Sequence, residues 1–455
     1  MQEKKKITIM SIAIAILSVS LIVLIYFGFF ADKHYKDLGY TNQDIKLIHQ
    51  YQLENEIKDY NHSLVYALHS ADFQEKNIHY YLLFNSQIDY TECINKLAQN
   101  YSLNDLKELL TVLNYDEAAE LIEYEKINNI SFFQQVKNKG YNTGDSVIIA
   151  NSLDENSLKS FLSLPTLQKG SNFVNYLNSG YNAETIVRLF NKLGEDTFND
   201  LSTILYFDNL DDYLSADNFD IKLLPRYLMY ADKHNVSASD AVYYVNNNND
   251  YVEDPDFAAF YENSQEVDSY SLTMLVNKSH RLKSDYVPEN LIDINANYRN
   301  SAQSLNSEAA DAFIKMSDDC YQATDRRILV YSGYRSYNVE ESFYNEYLNA
   351  SGDDNSNKVD SFANRPGYSE HQSGLAIDIC QKGYSYNEFN TCISSDWVYE
   401  NCYDYGYILR YPSSRAFLTG CYYTPYHYRY VGIETAQKIK KYNWTLEEYN
   451  YIFSN

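Results

Sequence analysis

A carboxylate stands where an apolar side chain is expected. Asp378 falls inside Leu375-Ala376-Ile377-Asp378-Ile379, otherwise an apolar run of strand length. A charge in a buried strand is costly unless something compensates it. A metal cation is one such compensator. His371 lies seven positions earlier, after the turn-forming stretch Arg365-Pro366-Gly367-Tyr368. His427 stands in a second strand-like run, Tyr426-His427-Tyr428-Arg429-Tyr430-Val431. Two His and one Asp would leave a tetrahedral zinc with an open fourth position, the arrangement of a catalytic rather than a structural site. Spacing alone leaves the plainer alternative open, because a single His on a strand is usually a core or surface histidine.

Upstream, Lys4-Lys5-Lys6 precedes an uncharged run over residues 7–30. About 20 apolar residues suffice for a helix to span a bilayer, and the basic cluster keeps residues 1–6 in the cytoplasm. The run ends in Tyr26-Phe27-Gly28-Phe29-Phe30-Ala31, bulkier than a signal-peptide cleavage site. The expectation is an uncleaved single-pass anchor in the cell membrane, with the bulk of the chain extracellular.

Residues 32–246 carry apolar residues at three- and four-residue spacing, as helices do. A phrase recurs in Gly39-Tyr40-Thr41, Gly140-Tyr141-Asn142 and Gly180-Tyr181-Asn182, with weaker versions at Asp89-Tyr90-Thr91 and Asn114-Tyr115-Asp116. Each reads as a helix ending at Gly, then Thr, Asn or Asp capping the next. The region is expected to be an irregular, all-α helical array. Such arrays act as spacers or binding surfaces, so an envelope protein is a candidate partner for residues 32–246. The polar Asn246-Asn247-Asn248-Asn249-Asp250 opens a linker over residues 247–270.

From residue 271 to 455 the pattern alternates. Helices are expected over 307–323, 337–348, around 397–403, and from 434 and 446. Strands are expected over 328–331, 375–379, 407–411 and 427–431. This is an α+β domain with a small central, mostly antiparallel sheet. The net charge of −25 argues against nucleic acid, since phosphate binding needs a basic footprint. Five of the six Cys lie at 320 or beyond, none in a CxxC pair, so a four-Cys zinc site is not expected.

Several stretches together resemble a known family. They are Val276-Asn277-Lys278, Tyr286-Val287-Pro288-Glu289-Asn290-Leu291, Ser332-Gly333-Tyr334-Arg335-Ser336-Tyr337, and the stretch from Arg365 through Ser369-Glu370-His371-Gln372-Ser373-Gly374 to Asp378. Leu409-Arg410-Tyr411-Pro412, Thr419-Gly420, His427-Tyr428-Arg429-Tyr430-Val431-Gly432 and Thr445-Leu446-Glu447-Glu448-Tyr449 complete them. In order and spacing, residues 271–450 resemble the VanY-type D-alanyl-D-alanine carboxypeptidases, zinc peptidases of the bacterial cell wall.

The resemblance implies Zn²⁺ held by His371, Asp378 and His427, with Arg335 stabilising the developing oxyanion. It implies peptidoglycan stem peptides as substrate, with Ser369 and Glu340 near them. Three positions depart from the family. Thr424 stands three residues before His427, where the family has its general-base Glu, and Tyr426 replaces the family Trp. Glu340 stands where the family commonly has Gln. Two functions therefore compete: a membrane-anchored zinc D-alanyl-D-alanine carboxypeptidase, and a catalytically impaired pseudo-peptidase that keeps zinc and binds stem peptides, with the array as scaffold.

Overall fold

The computed structural model of the protein describes residues 17–18, 32–165, 169–267, 269–352 and 356–454. Among these no helix is long and apolar enough to cross a membrane. The anchor expected over residues 7–30 lies outside the described residues, apart from Leu17 and Ser18. The chain divides into two compact units, residues 1–178 with 182–187, and residues 179–181 with 188–455.

The first unit is a series of short helices. Gly39 and Gly140 adopt positive φ of 108° and 107°, ending their helices as expected. Thr41 caps Asn42–Gln50 in a capping box with Asp44, and Asn142 caps Thr143–Ser152. At the two weaker phrases the cap sits before the tyrosine instead: Asp89 accepts from the Thr91 amide, and Asn114 caps Tyr115–Glu120. The tyrosine of the phrase has its own work. Tyr40 is buried; its hydroxyl donates to the Asp59 carbonyl at 3.1 Å and accepts from the Asn61 amide at 2.9 Å. The Tyr40 phenol thus satisfies backbone groups just ahead of the next helix, His62–His69.

Asp44 makes this unit acid-sensitive. Burial pushes its carboxyl up, but hydrogen bonds from His69 and Thr41 outweigh burial and hold it below the usual carboxylate range. A depressed folded pKa gives stability that is complete above the unfolded value of about 3.9 and is lost as pH falls through the folded one. An acid titration of the full chain by far-UV circular dichroism is expected to lose helix in that window. The Asp44→Asn variant is expected to start with less helix stability and to lose less of it on acidification.

The second unit opens with Tyr181, whose hydroxyl donates to the Leu205 carbonyl at 2.8 Å. Helices of the 188–246 stretch pack on the C-terminal helices Ile433–Tyr442 and Leu446–Phe453. The Leu205 amide donates to the Ile452 carbonyl, and Trp444 Nε1 to the Lys222 carbonyl. The stretch after 246 packs within the unit as well: Asp250 makes a bidentate pair with buried Arg226, and Phe257 is buried.

After a two-residue parallel pair, Gln265–Glu266 with His280–Arg281, come six further strands: β1 (Leu291–Asp293), β2 (Ser304–Asn306), β3 (Ile328–Ser332), β4 (Ala376–Gln381), β5 (Tyr407–Leu409) and β6 (His427–Tyr430). β1 pairs with β2, and the others form one antiparallel sheet in the order β3-β4-β6-β5. Helix α1 (Ser307–Thr324), capped by Asn306, lays Ala309, Phe313, Met316 and Cys320 on one face of this sheet. Side chains alternate across a strand. Ile377 and Ile379 of β4, with Tyr428 and Tyr430 of β6, face that core. Asp378 and His427 therefore point to the other face. Helix α2 (Tyr337–Ser351) follows β3. All six cysteines are free thiols.

Candidate metal centre and its cavity

Strand register creates the centre. In the β4–β6 pairing Asp378 is directly opposite His427. Cross-strand neighbours on one face have Cβ atoms about 4.5–5.5 Å apart. Asp378 also lies opposite Ser332 of β3, beside a register shift between Val330 and Ser332. His371 arrives from a short 3₁₀ turn, Glu370–Ser373, that ends at Gly374 with φ of 71°. A side chain at 374 would be strained by that φ, and its Cβ would fall 2.9 Å from Leu291 Cδ2. Gly333 is needed for contact rather than conformation: a Cβ there would lie 2.5 Å from the Ser304 carbonyl oxygen.

Ligand atoms of His371, Asp378 and His427 all lie within 4.8 Å of one another. His371 Nε2 is 3.2 Å from Asp378 Oδ2, and His427 Nδ1 is 2.9 Å from Asp378 Oδ1. The far nitrogen of His371, Nδ1, meets the Gly333 carbonyl at 2.7 Å. A carbonyl only accepts, so that nitrogen carries the hydrogen and Nε2 turns a lone pair toward Asp378. Lone pairs facing a carboxylate repel unless a cation lies between them. Two imidazoles and one carboxylate suit Zn²⁺ and leave room for a fourth ligand. The residues present fit the ion.

All seven residues singled out from the sequence line one cavity of about 520 Å³. Arg335 donates from Nη1 to Ser332 Oγ at 2.7 Å and to Asp378 Oδ2 at 3.3 Å. Its Nε donates to Glu340 Oε1 at 2.6 Å, and Ser369 Oγ donates to the same oxygen at 2.8 Å. Burial opposes the Arg335 charge, but Glu340 and Asp378 outweigh it and hold the pKa above the usual arginine value. Thr424 Oγ1 donates to the Tyr422 carbonyl at 2.9 Å. The rest of the wall is rich in tyrosine, with Tyr331, Tyr344, Tyr347, Tyr386, Tyr411 and Tyr426.

Comparison with known proteins decides the family. A family profile described as VanY, D-alanyl-D-alanine carboxypeptidase, matches residues 302–433. The bifunctional D-Ala-D-Ala dipeptidase and carboxypeptidase VanXYC of Enterococcus gallinarum is 33% identical over 183 residues, covering 39% of this chain and 92% of that protein. This chain belongs to the VanY family. The putative carboxypeptidase YodJ of Bacillus subtilis is 34% identical over 186 residues, covering 39% of this chain and 67% of YodJ. The D-alanyl-D-alanine carboxypeptidase of Enterococcus faecium is 34% identical over 145 residues, and the match spans only 43% of that relative. Among solved structures, the zinc(II) complex of a mutant vancomycin-resistance D,D-pentapeptidase VanY is 31% identical. That match covers 39% of this chain and 97% of that one, with a TM-score of 0.34.

The VanY-like site has a buried rear wall that sequence reasoning assigned no role. Glu370 lies behind His427, with Oε2 at 3.3 Å from Nε2. Its Oε1 accepts from Arg410 Nε at 2.7 Å and from Arg429 Nη1 at 2.9 Å. Arg410 reaches on to Glu447 at 2.5 and 3.0 Å. Tyr411 stacks on His427, ring centroids 5.1 Å apart. The available signal was the one that marked Asp378: Arg410 and Arg429 are charges set in apolar, strand-like runs.

Glu340 has a measurable consequence. It occupies the Arg335 Nε donor, which is then closed to a second carboxylate. A hydrogen bond between charged groups contributes about 1.5–3 kcal/mol. The Glu340→Gln variant is therefore expected to bind a peptide ending in D-Ala-D-Ala about tenfold more tightly by isothermal calorimetry, less so in high salt. Unchanged or weaker binding would show that Glu340 does not restrain Arg335.

Proposed function

We propose that the protein is a zinc-dependent D-alanyl-D-alanine carboxypeptidase-like peptidase. It acts slowly on peptidoglycan stem peptides and is tethered to the cell membrane by residues 7–30. The observation that carries this reading is the convergence of His371, Asp378 and His427 within 4.8 Å, with Arg335 beside Asp378 in one cavity. Family membership supports the reaction class, and the uncharged run after Lys4-Lys5-Lys6 supports the anchor. Residues 32–246 serve as a spacer or as a surface for an envelope protein.

The ion, when bound, supplies Lewis-acid activation of the scissile carbonyl and of water. The chain supplies the rest. Arg335 sits where its guanidinium can stabilise charge developing on the carbonyl oxygen. Glu340 and Ser369 fix Arg335 and the cavity floor, so orientation is set before substrate arrives. Tyrosines line the rest of the cavity. What the chain lacks is a proton acceptor at position 424.

The test uses the full chain in detergent, with and without zinc. It is incubated with a pentapeptide stem ending in D-Ala-D-Ala, and released D-Ala is followed by mass spectrometry. Zinc-dependent release that stops with chelator is the expected result. Zinc and peptide binding with no release over days would replace the enzyme with the impaired, stem-peptide-binding form, which Thr424 favours. Absence of zinc binding would remove both.

A further inference from the structure

We propose that Glu370 is the positioning residue for His427, holding its ring in the tautomer and orientation that a metal requires. The proposal rests on the reading of His371, Asp378 and His427 as a metal centre.

Consider the imidazole of His427. Nδ1 is 2.9 Å from Asp378 Oδ1, on the metal side. Nε2 is 3.3 Å from Glu370 Oε2, on the opposite side. Both carboxylates accept and neither donates; an ion seated between Nδ1 and Asp378 takes the place of a hydrogen there, and the remaining ring hydrogen, on Nε2, donates to Glu370. Rotating the ring by half a turn would destroy both contacts. Tyr411, stacked at 22° to the ring plane, resists tilting but cannot choose between those two orientations. Glu370 can.

The surroundings of Glu370 are built for that task. Its side chain and those of Arg410 and Arg429 are fully buried. A lone carboxylate there would be unstable as an ion. Two guanidiniums converge on the same oxygen, Oε1, which leaves Oε2 for His427. Each guanidinium is itself fixed. Arg410 is held by Glu447, which also accepts from Asn277 Nδ2 at 3.0 Å. Arg429 donates to the carbonyls of Leu272 and Met274. Ion pairing fixes both the charge and the direction of Glu370. The contrast with His371 is informative, since its far nitrogen meets a neutral carbonyl of Gly333. The two histidines are supported unequally, and the charged support makes His427 the stronger donor.

Loss of such an outer partner typically weakens metal binding by about 10–100-fold. The experiment measures zinc affinity of the full chain by competition with a chromophoric chelator. Native protein is compared with Glu370→Gln, which keeps shape but not charge, and Glu370→Asp, which keeps charge for the arginines but withdraws from His427. Denaturant midpoints are recorded for each, because a merely structural role would lower stability without changing the affinity of folded protein. The expected result is a 10–100-fold weaker affinity in both variants with one zinc per chain retained. Native-like affinity in a folded variant overturns the proposal while leaving the metal reading intact. A native chain that binds no zinc overturns both. If neither variant folds, the native chain still decides. Histidine ¹⁵N shifts of the zinc-loaded protein are expected to place the His427 hydrogen on Nε2, and finding it on Nδ1 would overturn the proposal.

Discussion

Replacing Thr424 with glutamate is expected to raise the rate of D-Ala release by roughly 10²–10⁴-fold, the range that general acid–base catalysis contributes. A hydroxyl does not titrate near neutrality, so Thr424 cannot take a proton from water. The backbone around it is well placed for a residue that could. The Thr424 amide donates to the Tyr411 carbonyl at 3.1 Å, and the His427 amide donates to the Thr424 carbonyl at 3.3 Å. Those bonds fix position 424 relative to the metal-facing ring. Other carboxylates are committed elsewhere. Asp378 lies between the two histidines, Glu340 is taken by Arg335 and Ser369, and Glu370 is locked behind His427 by two arginines. The measurement compares native and Thr424→Glu protein at saturating zinc, by kcat and KM separately. The gain is expected in kcat, with KM little changed, because a base acts in the transition state. A native rate equal to that of the variant would mean that another group accepts the proton, with Glu340 the first to test.

One rule makes the site legible in the sequence, and it reaches further than Asp378. Asp378 stood out because a charge in an apolar strand demands an explanation, and the β4–β6 register then supplied His427 as its neighbour. Arg410 and Arg429 satisfy the same criterion. Their common partner, Glu370, is 40 and 59 positions away, and no local pattern links them. The departure at Thr424 was legible only against the resemblance, since threonine in a turn is unremarkable by itself. Strands and helices of the C-terminal region were readable from period, because β4 and β6 each bury alternate residues on α1. In the helical array the capping residues were readable, since a cap and its helix are adjacent. The work of Tyr40 was not, because the backbone groups it satisfies lie 19 and 21 residues further on.

Arg410→Met is expected to destabilise the second unit by about 3–5 kcal/mol, the cost of breaking a buried ion pair by removing one partner. Arg410 is fully buried and donates three hydrogen bonds, one to Glu370 and two to Glu447. Methionine fills much of the volume, so the loss is electrostatic rather than a cavity. Glu447 would keep only its bond from Asn277, and Glu370 would keep Arg429 and His427. Against a typical stability of 5–15 kcal/mol this is a large fraction. It is measured by urea unfolding of the full chain, followed through the fluorescence of Trp397 and Trp444, the two tryptophans, both in the second unit. The double variant Arg410→Met with Glu447→Gln is expected to recover part of the loss, because it also removes a stranded charge. A loss under about 1 kcal/mol for the single variant would mean that water reaches these carboxylates. If the network also serves the metal centre, zinc should protect the native chain more than the variant, since a ligand stabilises by an amount set by its affinity. Equal protection would confine Arg410 to holding the fold. Unequal protection would tie the stability of the rear wall to the chemistry of the cavity in front of it.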